Sequence, residues 1–257
     1  MNANEVITLK GYSKKPKVGR ELRELSILKS GGIAILDGKI YDVGLTRDLT
    51  RKYDADLKID ASGKIVLPGF VDPHTHVVFA GSREEELTLK LEGVPYLEIL
   101  KRGGGILKTV RLTRGATERE LVEVSKKRLD RALVHGTTTV ESKTGYGLDT
   151  KNEMKMLRVN RALDGEHPID IVSTFLGAHA IPPEFKHNPE GYVDLLINEM
   201  IPAVAKSGLA EFNDVFVEKS VFTVKQGRRI LQHGKELGLI PKIHADELSD
   251  LGGARLA

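Results

Sequence analysis

From position 64 onward the chain alternates short apolar strands with amphipathic helices, and this alternation restricts the possible folds more than any other feature. Strands are predicted at residues 65–72, 137–142, 169–178, 211–218 and 239–245. Strands separated by helices form parallel sheets, because each helix returns the chain to begin the next strand in the same direction. A closed (β/α)8 barrel needs eight strands and typically about 250 residues. The pattern therefore predicts an α/β fold, an incomplete (β/α)8 barrel with about five of the eight strands.

A five-stranded doubly wound sheet is the competing interpretation of the same pattern. Such sheets often carry a glycine-rich phosphate loop that follows a strand and opens a helix. The run Gly103-Gly104-Gly105 with Lys108-Thr109 resembles this loop only in part, because Leu107 stands where the loop needs glycine. No strand is predicted directly before the run either. The partial barrel is the better interpretation.

The first 63 residues predict a smaller β unit. Residues 31–44 form two alternating apolar runs around Asp37-Gly38, a pair favoured in tight hairpin turns. We therefore expect a β-sandwich portion at residues 1–63 and the partial barrel at residues 64–257. The basic segment at residues 10–20 predicts a solvated loop rather than a phosphate-binding patch, because only Tyr12 offers a ring for stacking.

Start and stop signals predict three of the helices between the strands. Capping boxes are predicted for the pairs Thr117 with Glu120, Thr150 with Glu153, and Thr223 with Gln226. Helix stops are predicted at Gly136, Gly165 and Gly238. Ser249 predicts the cap of one more helix, and strands six to eight of a full barrel are expected to be absent.

Composition excludes several classes of protein. The chain has 257 residues and no cysteine, which excludes disulfide frameworks, thiolate metal sites and cysteine nucleophiles. Because this suits a reducing compartment, we expect a cytoplasmic protein. The formal charge of +3 is spread along the chain, and no apolar run approaches the roughly 18 residues of a membrane span. We therefore expect a small-molecule ligand, with no nucleic acid and no membrane as partner.

Histidines at predicted strand ends are the strongest chemical signal. His74 and His76 end the first barrel strand, and residues two apart on a strand point to the same side. His244 ends the fifth strand, and side chains at the C-terminal ends of barrel strands converge. Three imidazoles would suit zinc or iron. On spacing alone, a metal site and ordinary exposed or core histidines are about equally supported, and His179 fits either a ligand or a substrate contact.

The sequence resembles the amidohydrolase superfamily, metal hydrolases built on a distorted barrel beside a β-sandwich. The resemblance lies in residues 67–76, Leu-Pro-Gly-Phe-Val-Asp-Pro-His-Thr-His, which follow the small β unit. Within the superfamily the chain is similar to the imidazolonepropionase family, and that similarity rests on several ordered segments. They lie at residues 76–83, 96–106, 141–148, 175–180 and 242–247.

The resemblance implies a role for each matching residue. His74, His76 and His244 would bind one zinc or iron ion, whereas the family's fourth ligand, an aspartate ending strand eight, has no counterpart here. Arg83 would hold the substrate's propionate. The implied substrate contacts are Tyr96, Tyr146 and His179, and Glu247 would join His244 as a catalytic residue. Glu218 matches a position where two-metal relatives carry a metal ligand, and the neighbouring Lys219 resembles their carbamylated bridge only superficially; neither is expected to bind metal.

The implied reaction is hydrolysis of the ring C–N amide bond of 4-imidazolone-5-propanoate to N-formimidoyl-L-glutamate, a step of histidine degradation. The family also implies a homodimer. Two alternatives remain open. One is another cyclic amidohydrolase or a deaminase of the same superfamily, and the other is a non-catalytic chain that needs a partner to supply the absent strands.

Overall fold

The computed structural model describes residues 1–11, 15–95, 98 and 104–256. It divides into two compact units, Met1–Gly69 and Phe70–Ala257. The division falls a few residues beyond position 63, because a short strand at Ile65–Val66 pairs in parallel with the first strand of the chain. Each unit has its own sheet.

The first unit is a four-stranded mixed sheet with one helix. Its elements are β1 (Ala3–Ile7), β2 (Ile27–Leu36), β3 (Lys39–Leu45), α1 (Thr46–Lys52) and β4 (Ile65–Val66). The sheet order is β3-β2-β1-β4. Strands β2 and β3 form the predicted hairpin, and Asp37 and Gly38 in its turn both have positive φ, 52° and 73°. Positive φ at both central positions matches the right-handed twist of the strands, which confirms the prediction.

The second unit alternates strands and helices. Its strands are β5 (Phe70–Thr75), β6 (Thr137–Lys143), β7 (Asp170–Ala178), β8 (Phe212–Val217), β9 (Ile240–Pro241) and β10 (His244–Ala245). Its helices are α2 (Glu84–Leu91), α3 (Ile106–Gly115), α4 (Glu118–Val134), α5 (Thr150–Glu166), α6 (Pro189–Leu195), α7 (Ile201–Ser207) and α8 (Val224–Glu236). A π-helical turn, Leu196–Met200, joins α6 to α7. No helix in the described part of the chain is both long enough and apolar enough to cross a membrane.

The sheet of the second unit has the order β5-β6-β7-β8-β10, with β9 also paired to β8, and every pairing is parallel. Neighbouring strands in space follow one another in sequence, as in a singly wound barrel rather than a doubly wound sheet. The described residues thus form the incomplete (β/α)8 barrel that the sequence predicts. The parallel arrangement places the C-terminal ends of all these strands at one edge.

Two predicted strands are each divided in the structure. Residues 65–72 are not one strand, because Ile65–Val66 belongs to the sheet of the first unit and β5 begins only at Phe70. Pro68 lies between them, and proline has no amide hydrogen to donate to a sheet. The segment 239–245 forms β9 and β10 instead of one continuous strand.

The helix signals are partly confirmed. Capping boxes begin α4 at Thr117 and α8 at Thr223, and Gly136 and Gly238 follow these helices with positive φ. Three predictions are wrong. Helix α5 is capped by Asp149 rather than Thr150, it continues past Gly165 to Glu166, and Ser249 caps no α-helix, since only a 3-10 turn at Gly253–Arg255 follows it.

Two buried apolar clusters fix the barrel strands against the helices. One packs β7 and β8 against α6 to α8 around Phe175, Tyr192 and Phe222, which are completely buried. The other includes Leu121 of α4 and Met156 of α5. Dense packing of this kind leaves few voids and low compressibility, so the strands have little room to shift. Polar side chains at the strand ends are therefore carried on a rigid support.

Candidate metal centre

Three histidines meet at the C-terminal edge of the sheet. His74 lies in β5, His76 follows the end of that strand, and His244 begins β10. The Nε2 atoms of His74 and His244 are 3.0 Å apart, and one ring nitrogen from each of the three histidines lies within 4.8 Å of the others. The structure thus brings together the three residues that the sequence predicts as metal ligands.

His244 is oriented by a buried carboxylate. Its Nδ1 atom lies 3.1 and 3.0 Å from the two carboxylate oxygens of Asp214, which is at the centre of β8 and 1% exposed. An ionised carboxylate only accepts hydrogen bonds. The Nδ1 of His244 therefore carries the hydrogen, and its Nε2 presents a lone pair to the space shared with His74.

His76 supports the presence of a further ligand at this place. Its Nδ1 atom is buried without any hydrogen-bond partner, an arrangement that normally costs free energy. Its ring stacks on that of His179, with centroids 4.8 Å apart and planes at 11°. Three convergent imidazoles, one with an unpaired buried nitrogen, are a donor set that fits zinc or iron.

The surroundings favour the neutral imidazoles of His74, His76 and His179 by lowering the pKa of each. Burial, followed by the neighbouring His179 and His244, lowers the pKa of His76 well below its ordinary value. Burial and then His244 lower the pKa of His74, and burial lowers the pKa of His179 to about 4. Only a neutral imidazole has a lone pair for a metal ion. At neutral pH His74 and His76 therefore need not lose a proton before they bind a metal ion.

Tyr146 and His179 lie beside His76, on the loops that follow β6 and β7. The Tyr146 ring centroid is 5.1 Å from that of His76 and 5.4 Å from that of His179. His179 Nδ1 hydrogen-bonds the carbonyl oxygen of Gly145 at 3.0 Å. Because that carbonyl only accepts, His179 is held with its other nitrogen unprotonated.

Of the remaining predicted site residues, the structure describes Arg83 and Glu247, and both are exposed. Arg83 is exposed at the start of α2, and its positive charge partly offsets the rise that burial gives to the pKa of Tyr146. Glu247 is exposed and lines a cavity of about 530 Å³ together with His74 and His244. Tyr96 lies outside the described residues. The structure thus groups Glu247 with the histidines and brings Arg83 close enough to Tyr146 to influence it.

A quartet of charged residues beneath His74 and His244, three of them buried and Lys242 partly exposed, was not predicted. Its members are Glu141, Lys143, Asp214 and Lys242. Lys143 Nζ lies 2.5 Å from Glu141 and 2.9 Å from Asp214, while Lys242 Nζ lies 2.5 Å from Glu141. The sequence signal was available, since Glu141 and Lys143 occupy alternate positions of one strand and so share a face.

A second buried carboxylate holds the loop that carries Tyr146. Glu153 of α5 is 1% exposed and accepts hydrogen bonds from the backbone amides of Gly145, Gly147 and Leu148. Glu218 has a comparable local role, because its carboxylate accepts from the amides of Leu248 and Ser249. Its carboxylate is therefore engaged with backbone amides.

Known structures show the same architecture. A 5-methylcytosine deaminase from Klebsiella pneumoniae, liganded with phosphonocytosine, superimposes with a TM-score of 0.57 at 16% identity, over 87% of this chain and 50% of its own. An atrazine chlorohydrolase from Arthrobacter aurescens, complexed with zinc, gives 0.52 at 15% identity, over 98% of this chain and 54% of its own. The second unit therefore has the fold of an incomplete amidohydrolase-type (β/α)8 barrel.

Sequence comparison finds relatives of much higher identity than these solved structures. The imidazolonepropionase of Geobacillus sp. strain WCH70 is 51% identical over 260 residues, covering 100% of this chain and 61% of the relative. That of Shouchella clausii is 54% identical over 259 residues, covering 99% and 58%. The chain is similar to these imidazolonepropionases over its whole length, and it spans about three fifths of the length of these curated relatives. No protein-family model matches it.

Proposed function

We propose that the protein hydrolyses the ring C–N amide bond of 4-imidazolone-5-propanoate, giving N-formimidoyl-L-glutamate. The observation that carries the proposal is the convergence of His74, His76 and His244 at one end of a barrel whose sequence is half identical to imidazolonepropionases. In the reaction a water oxygen bonds to the ring carbonyl carbon, the C–N bond breaks, and the nitrogen takes up a proton.

His74, His76 and His244 would hold one divalent ion, zinc or iron. Such an ion supplies a nucleophile at neutral pH and polarises a carbonyl. The chain's own contribution begins with the lowered pKa values of His74 and His76, which keep both imidazoles unprotonated. The stacking of His76 on His179 then fixes the plane of the second ligand.

The substrate would lie beside the histidines, at the C-terminal edge of the sheet. The guanidinium of Arg83 suits the planar propionate, because it can donate two parallel hydrogen bonds to a carboxylate. Tyr146 and His179 present rings next to His76 and would contact the imidazolone ring from one side. Tyr96 is proposed to contact the substrate by sequence correspondence alone.

Glu247 is proposed as the proton carrier. Its carboxylate lines the same cavity as His74 and His244, which supports a role next to these two histidines. A carboxylate in this position can accept the water's proton and return it to the departing ring nitrogen. A homodimer and a cytoplasmic location are proposed from the family and the cysteine-free composition.

Activity and metal content test the proposal together. The protein is purified from its source cells, its intact mass is recorded, and loss of the imidazolone is followed by ultraviolet absorbance with zinc or ferrous ion supplied. We expect metal-dependent turnover that falls at least about 100-fold in His76→Ala and is unchanged in His187→Ala, an exposed histidine distant in sequence from the cluster. Equal turnover by His76→Ala would contradict the proposed site.

Arg83 separates this substrate from others that the superfamily accepts. Arg83→Ala should raise KM for the propionate substrate by about 100-fold, the loss expected for a bidentate charged contact. A hydantoin, dihydropyrimidine or deaminase substrate without a carboxylate would be unaffected. If Arg83→Ala turns over every acidic substrate as well as the wild type, another cyclic amidohydrolase or a deaminase becomes the better assignment.

A further inference from the structure

We infer that Asp214 is a positioning residue, which fixes His244 in the tautomer that leaves Nε2 free to bind a metal ion. The inference rests on the proposed metal site and extends it from the three histidines to the buried charges beneath them. It starts from the two ring nitrogens of His244, each of which faces a different neighbour.

The partners of His244 determine where its hydrogen lies. Nδ1 is within 3.1 Å of both carboxylate oxygens of Asp214, and Nε2 is 3.0 Å from Nε2 of His74. A neutral imidazole carries one N–H, and a carboxylate binds the donor. The hydrogen therefore stays on Nδ1. Without Asp214, both tautomers and a rotated ring would become accessible, and only a fraction of the molecules would present a lone pair to the metal.

Each carboxylate oxygen of Asp214 accepts a further hydrogen bond besides its contact with His244. The backbone amide of Val215 donates to its Oδ1 at 2.8 Å, and Lys143 Nζ donates to its Oδ2 at 2.9 Å. Asp214 is 1% exposed and Lys143 is 4% exposed, so water does not compete for these contacts. The carboxylate thus presents a fixed pair of oxygens to His244.

The support for Asp214 continues across the sheet. Lys143 is also bonded to Glu141, which in turn accepts from Thr174 and Lys242, each at 2.5 Å. The formal charges of Lys143 and Lys242 balance those of Glu141 and Asp214. Buried charges are tolerated when they are paired and hydrogen-bonded. A chain of contacts from β6, β7 and β8 therefore ends at the imidazole of His244.

The neighbouring residue on β8 offers a matched control. Asn213 is as buried as Asp214 but points to the opposite side of the strand, where its amide donates to the carbonyl oxygen of Ile230 in α8. Replacing it with alanine removes a buried polar contact from the same strand without touching His244. A loss of metal affinity that came only from loosening β8 would appear in both variants.

The first measurement concerns the metal-free protein. Nitrogen NMR of the full chain labelled with ¹⁵N-histidine should show His244 protonated on Nδ1 and unprotonated on Nε2. In Asp214→Asn we expect a mixture of tautomers, and in Asn213→Ala the wild-type spectrum for this residue. A wild-type His244 that carries its hydrogen on Nε2, or exchanges between both nitrogens, would overturn the inference without any variant having to fold.

The second measurement is zinc affinity, determined at pH 7 by competition with a chromophoric chelator. Asp214→Asn should bind zinc 10- to 100-fold more weakly than wild type, the usual cost of losing a partner of a ligand histidine. Asn213→Ala should melt at a lower temperature yet bind zinc with unchanged affinity. Wild-type zinc affinity in folded Asp214→Asn would overturn the inference.

The two measurements separate this inference from the proposed function. If the wild-type chain binds no zinc and no ferrous ion, the proposed metal site is wrong. The tautomer of His244 in the metal-free protein still decides whether Asp214 positions that ring.

Lys143→Met is the second variant, for the case in which Asp214→Asn does not fold. It leaves the carboxylate of Asp214 in place but removes one of the groups that hold it. We expect this variant to bind zinc measurably more weakly than wild type, with a smaller loss than that of Asp214→Asn, and wild-type zinc affinity in it would refute the extended support.

Discussion

Replacing Glu153 with glutamine tests how the loop beside the histidines is held. Oε1 of Glu153 accepts from the amides of Gly147 and Leu148 at 2.7 and 2.8 Å, and both oxygens lie within 3.2 Å of the Gly145 amide. A glutamine keeps one oxygen but places an NH₂ group where the other accepted from Gly145. The new NH₂ group and the Gly145 amide, both hydrogen-bond donors, then face each other at a residue that is only 1% exposed.

The expected cost of Glu153→Gln is about 3 kcal/mol. A hydrogen bond to a charged group contributes about 1.5–3 kcal/mol, and the bonds that remain weaken toward the roughly 1 kcal/mol of a neutral acceptor. Domains of this kind have total stabilities of about 5–15 kcal/mol, so the effect is large. Because Tyr146 and the carbonyl that binds His179 both lie on this loop, a site defect should accompany the loss.

Urea denaturation followed by circular dichroism measures this cost. The midpoint should fall while the slope with denaturant stays constant, since the surface exposed on unfolding is unchanged. The control is Glu166→Gln at the end of the same helix, where the side chain is about half exposed and pairs with Lys126. That variant should stay within about 0.5 kcal/mol of wild type. A Glu153→Gln protein as stable as the control would refute the account of the loop.

Two further outcomes are expected from the same region. The unfolded chain takes up a proton on His179 near pH 6.5, whereas the folded metal-free protein does so only near 4. Denaturant titrations should therefore show stability falling as pH drops from 6.5 to 4, by up to about 3 kcal/mol, and His179→Asn should flatten this dependence. Gly145→Ala should be destabilising by about 1–3 kcal/mol in denaturant titrations, because at φ 106° its Cβ would lie 2.7 Å from Nδ1 of His179. Gly165→Ala, in open space on α5, should be neutral or stabilising, and the reverse order of the two alanine variants would contradict this geometry.

The sequence predicted the features that depend on local spacing. The period of apolar residues indicated a parallel barrel, and His74, His76 and His244 could be placed at one edge because parallel strands all end there. The hairpin at Asp37-Gly38 followed from the backbone freedom that its turn requires. The function of the three histidines as metal ligands stays a prediction, although the structure brings their rings together.

What the sequence could not predict depends on contacts between distant residues. Glu153 is three residues after Thr150, which suggested a capping box, but its carboxylate turns to the amides of the Gly145–Leu148 loop, and Asp149 caps the helix instead. Asp214 is separated from His244 by 30 residues, and its role emerges only when β8 lies beside β10. Patterns of propensity carry no information about such partners.

The amides bound by Glu153 have a consequence for how the site meets a ligand. Gly145, Gly147 and Leu148 belong to no helix or strand, yet their N–H groups are bonded to a buried acceptor and should exchange with deuterium as slowly as those of the sheet. A loop that is already ordered loses little conformational entropy when a ligand arrives. Binding at Tyr146 should therefore bring little further protection to these amides, and the loop should keep one conformation before and after the ligand binds.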